Sequence, residues 1–113
     1  MTWKLTVRHT SKVDRQKFAI LDDALAETRR RLHEIHAQGD LPPISALREF
    51  APGQRVHARF EFDGPGVFRG RKGGVDLMGD GSIVVYTGSI RKEPLEARTL
   101  DESIERLREA FSA

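Results

Sequence analysis

The segment Gly64-Pro65-Gly66-Val67-Phe68-Arg69-Gly70-Arg71-Lys72-Gly73-Gly74 sets three cations and one aromatic into a glycine-rich run. Glycine lets a backbone approach a ligand closely, and Arg and Lys pair with phosphates. Phe68 can stack on an unpaired base, a combination that suits single-stranded or looped RNA. Arg69, Arg71 and Lys72 are therefore candidate phosphate contacts, with Phe68 as the candidate base contact. Arg91 and Lys92, and Lys12, Arg15 and Lys17, stand on the two connections that lead from a strand to a helix, and they extend the same candidate surface. The competing reading is a long hairpin loop whose glycines supply turns and whose Phe68 folds back on the core.

Four histidines raise the question of a metal. His33 and His36 are three apart on a helical segment and can reach one ion, but a stable site needs further ligands, and Glu34 projects elsewhere. His9 and His57 fall on different strands that sequence cannot place relative to each other. The spacing Asp76…Asp80-Gly81 is not a calcium loop, because Met78 and Thr87 stand where an oxygen ligand and a bidentate glutamate belong. The expectation is no metal and no cofactor. Catalytic signatures are missing too. There is no Gly-x-Ser-x-Gly elbow, no phosphate-binding loop ending in Gly-Lys-Ser/Thr, and no Gly-x-Gly-x-x-Gly. A non-enzymatic protein is expected.

Composition narrows the field further. The chain has 113 residues, no cysteine, and 19 Lys and Arg against 17 Asp and Glu, a net charge of +2. Disulfide scaffolds, cysteine nucleophiles and Cys-based zinc or iron–sulfur sites are excluded. No apolar run is longer than four residues, as in Ile83-Val84-Val85-Tyr86, far below the roughly 20 residues of a membrane span. The opening residues alternate where a secretory leader would run apolar, so the expected compartment is the cytoplasm. The charge is uneven along the chain. Residues 1–21 carry a local +4 and residues 64–75 carry +3, whereas residues 93–113 carry −3. Basic clusters of this kind attract phosphate backbones.

The elements that must position these residues read as one α+β domain spanning residues 1–113. Trp3, Leu5 and Val7 alternate with Lys4, Thr6 and Arg8, a strand with one buried face. Residues 11–17 read as a polar connection. Leu21, Leu25, Thr28, Leu32 and Ile35 then form a helical stripe, with Asp22 as the expected N-cap and Gly39 as the stop. The run Arg29-Arg30-Arg31 reads as a solvated helix face, with Glu27 and Glu34 one turn away. Residues 44–50 fit either a helical turn or a short strand. Val56, Ala58, Phe60 and Phe62 alternate as a strand, and residues 75–87 read as a hairpin about Gly79-Asp80-Gly81. Thr99-Leu100-Asp101-Glu102 is a capping box, followed by the stripe Leu100, Ile104, Leu107 and Phe111. The expected architecture is a mostly antiparallel sheet of four to five strands with two helices on one face, in the order β-α-(β)-β-β-β-α. The expected function is a binding module for nucleic acid, RNA ahead of DNA, acting through basic glycine-rich loops. The alternative is a protein-interaction module, such as an adaptor, antitoxin-like or inhibitor protein, with a homodimer through an exposed strand edge.

Overall fold

A computed structural model describes residues 2–39, 56–65, 72–88, 93–95 and 98–112. Its elements in chain order are β1 (Trp3–His9), β2 (Lys12–Phe18), α1 (Leu21–His36), β3 (Val56–Asp63), β4 (Lys72–Met78), β5 (Ile83–Thr87), β6 (Glu93–Leu95) and α2 (Leu100–Ser112). The strands form one sheet in the order β2-β1-β3-β4-β5-β6, and every pairing is antiparallel. The α+β class and the antiparallel sheet are those expected from the residue pattern. The region 44–50, open between a turn and a strand, lies outside the described residues.

Residues 11–17 are not a loose connection. A two-residue turn at Thr10-Ser11, with Thr10 at φ 57°, folds the chain back so that Lys12–Phe18 pairs with β1 along its whole length. The segment lacks an apolar period because it is an edge strand, with Lys12, Val13, Asp14, Arg15 and Lys17 all exposed. Its backbone ladder supplies what burial does not. At the opposite edge, β6 is three residues long and contains Pro94, which cannot donate to a further strand. Short length, proline and lysine all blunt sheet edges against pairing with another chain.

One face of the sheet carries the core. Leu5 and Val7 of β1, Phe60 and Phe62 of β3, Val75 and Leu77 of β4 and Val85 of β5 are buried there in a single cluster with both helices. Helix α1 contributes Ala24, Leu25, Leu32 and Ile35, and α2 contributes Leu100, Ile104, Leu107 and Phe111, the two stripes expected from their spacing. Phe111 anchors the C-terminal end, its ring 5.1 Å from Trp3 and 5.7 Å from Phe62. The helix starts differ from expectation in detail. Ile20 occupies the N-cap position of α1 with no side-chain cap, and Asp22 sits inside the first turn, 3.2 Å from Arg108. At α2 the Thr99 hydroxyl accepts from the Glu102 amide at 3.0 Å, while the Glu102 carboxylate accepts from the Arg98 amide, one residue before the usual partner. No helix among the described residues is long and apolar enough to cross a membrane.

Candidate nucleic-acid interface

With both helices on one face, the opposite, open face of the sheet carries no helix among the described residues. The strand registers lay its side chains out in three cross-strand rows. The first runs Lys17, Lys4, Asp63, Lys72. The second runs Arg15, Thr6, Glu61, Gly74, Tyr86, and the third runs Val13, Arg8, Arg59, Asp76, Val84. Six cations thus share this face with three carboxylates.

Those carboxylates are spoken for at the centre of the sheet. Arg59 makes a two-pronged contact with Asp76, at 2.9 and 3.0 Å, and this hydrogen bonding raises the Arg59 pKa against the opposing effect of burial. Arg8 donates to Glu61 at 3.3 Å, and the Lys72 ammonium lies 3.9 Å from Asp63. Lys4, Arg15 and Lys17 are exposed and make no ion pair among the described residues. Positive charge is therefore concentrated on the β1–β2 half of the open face.

Beside it lies a shallow bowl of about 290 Å³ lined by Lys4, Thr6, Glu61, Asp63, Lys72 and Tyr86 among others. At one side of the bowl the ring of Tyr86 packs over Gly74, its register partner, in space that a Cβ would otherwise need. Burial, with a contribution from the Asp76 charge, pushes the Tyr86 phenol up to about 12, so it stays neutral. A neutral phenol at the bowl's edge both donates and accepts hydrogen bonds.

The helical side is different in kind. Arg30 pairs with Glu27 and Glu34, Arg31 with Glu27 and Asp14, and Arg29 with Asp101, as a solvated and self-neutralising surface requires. A groove of about 530 Å³ between α1 and α2 includes Arg29, His33, Asp101 and Arg108 in its lining. His33 lies 2.9 Å from Asp101, and hydrogen bonds from His33 and Arg29 hold that carboxyl below its ordinary range. The cations lining this groove that pair at all pair within the fold.

The structure sorts the candidate residues read from sequence. Arg15 and Lys17 share the open face with Lys72, although Lys72 begins strand β4 instead of lying in a glycine-rich loop. Gly73 and Gly74 likewise belong to β4, where they accommodate aromatic rings. Lys12, opposite His9, points to the other face. Phe68, Arg69, Arg71, Arg91 and Lys92 lie outside the described residues. Lys4 and Arg8 are not among the candidates that charge and glycine content mark in the sequence, yet the alternation of residues 3–8 assigns them to the face opposite Leu5 and Val7. Among the described residues no group of three or more His, Asp or Glu is arranged to hold a metal ion. No family model, curated protein or solved structure matches the chain.

Proposed function

We propose that this protein binds single-stranded nucleic acid, RNA ahead of DNA, across the open face of its sheet. The observation that carries the reading is the grouping of Lys4, Arg15 and Lys17 on one exposed surface with no acidic partner among the described residues. Arg15 and Lys17 are two apart on one strand, hence about 6.8 Å apart along it. That separation is comparable with the step between consecutive phosphates of an extended strand. An unpaired cation gains most from a phosphate, because binding releases condensed counterions and breaks no existing pair. The neighbouring bowl, with the Thr6 hydroxyl in its lining, offers a hydrogen-bond partner to a base edge. The blunted edges at β2 and β6 weigh against the alternative of a homodimer built by strand pairing.

The test is fluorescence anisotropy of a labelled unstructured RNA and its DNA counterpart at low salt. Wild-type protein should bind both, the RNA more tightly, and the triple variant Lys4→Ala, Arg15→Ala, Lys17→Ala should lose about tenfold or more in affinity. Wild-type protein that shifts neither strand at low salt would rule the reading out.

A further inference from the structure

Two histidines that sequence could not place relative to each other meet in the fold. His9 ends β1, and His57 lies in β3 at a register irregularity, where Val56 pairs with Met78 and Ala58 with Leu77. Two residues of β3 thereby face one step of β4, a β-bulge, and bulges re-aim a side chain. The bulge turns the His57 ring toward His9. Their Nε2 atoms come within 3.4 Å of each other and their ring centroids within 5.1 Å, at an interplanar angle of 57°. His57 is buried and His9 half-buried.

These distances fit a shared ligand better than a good hydrogen bond. A strong bond to ring nitrogen is about 2.7–3.2 Å long. A collinear pair at this spacing would hold the ring centroids about 5.7 Å apart, so the rings converge on a point beside the line between them. Two imidazoles that each hold a tetrahedral ion at about 2.1 Å have nitrogens about 3.4 Å apart and centroids about 5.2 Å apart. We infer that His9 and His57 form a two-histidine site for a late first-row divalent ion such as Zn²⁺. Neutral imidazole suits this class of metal, and calcium or magnesium would demand oxygen ligands. Bound there, the ion cross-braces β1 and β3 at the end of the sheet remote from Lys4 and Lys72. Lys12, opposite His9 in the register, is exposed, so water screens its charge from the ion. The site is independent of the nucleic-acid reading, since it uses the core-side face and none of the same residues.

Titration calorimetry with ZnCl₂ and thermal melts with and without Zn²⁺ test the proposal on the full chain. Wild-type protein should bind one Zn²⁺ saturably with a Kd below about 100 μM and melt higher in its presence. His9→Ala and His57→Ala should each weaken binding about tenfold or more and abolish the rise in Tm. The double variant His33→Ala, His36→Ala should bind as wild type, which separates this site from the helical pair. Because His57 is buried, His9→Ala carries the test if His57→Ala does not fold. Absence of saturable binding, or wild-type affinity in His9→Ala, overturns the assignment.

Discussion

Lys4 and Lys17 stand directly opposite each other on neighbouring strands of the open sheet face. Like charges placed this way destabilise an antiparallel pair, where an opposite pair would contribute about 0.2–1 kcal/mol. A fold that keeps this arrangement gives up a little stability to hold positive charge in one place. Lys17→Glu should therefore raise stability by up to about 1 kcal/mol while weakening nucleic-acid binding. Urea denaturation beside RNA titration checks both signs. A variant that gains stability and keeps full affinity would show that Lys17 has no part in the interface.

Strand β4 carries two adjacent glycines, each covered by an aromatic ring on a different side of the sheet. A Cβ on Gly73 would meet the Tyr86 carbonyl oxygen at 2.7 Å and the Phe111 ring at 3.0 Å. One on Gly74 would run into the Phe60 carbonyl oxygen and meet the Tyr86 hydroxyl at 2.7 Å. Flexible side chains can shift, but the strand backbone cannot do so without disturbing its pairing. Gly74→Ala should cost about 2–3 kcal/mol or more, and Gly73→Ala less, with both read from the urea midpoint. Equal and negligible costs would mean that the rings do not pack as described.

Arg59 and Asp76 hold the centre of the same face. Asp76 is 7% exposed and both its oxygens accept from the Arg59 guanidinium. Asp76→Ala leaves that guanidinium without its partner and should cost about 2–3 kcal/mol. Replacing both residues by apolar ones of similar size should cost less than Asp76→Ala alone. A double-mutant cycle in urea measures the difference, and an additive result would contradict the coupling.

Asp101 links the helices by accepting from His33 and Arg29, which lowers its pKa from the ordinary 3.8. Asp14 is lowered likewise by its hydrogen bond from Arg31. A carboxyl whose folded pKa is depressed stabilises the fold above its unfolded value, and the contribution disappears as pH falls through the folded value. Stability should therefore decline as pH falls below the ordinary carboxylate value of 3.8, and Asp101→Asn should make that decline shallower. Melting temperatures across this range provide the check. An unchanged acid limb in Asp101→Asn would show that the linkage is not felt.

What could be read from sequence follows the physics of burial. Trp3 to Val7, Val56 to Phe62 and the stripes of α1 and α2 are legible because one face of each is core, and the core imposes a period. Strand β2 is not legible, since Val13 is 44% exposed and no apolar alternation marks an edge strand that is only partly covered. The glycines at 73 and 74 mislead for a related reason. They signal a turn in isolation, and only the tertiary contacts with Phe111 and Tyr86 show why a strand needs them. Arg15 and Lys17 were found by charge alone, but their company with Lys4 required the register of β1 against β2. The meeting of His9 and His57 depends on a bulge, which leaves no mark in residue type or spacing.

The salt dependence of RNA binding bears most directly on the central claim. Each neutralised phosphate of a single strand contributes about −0.7 to the slope of log K against log salt concentration. If Lys4, Arg15 and Lys17 each engage a phosphate, the triple alanine variant should lose about 2 from the magnitude of the wild-type slope. A slope that is the same in wild-type and triple-variant protein would contradict the account, because phosphates would then be neutralised somewhere other than on this face.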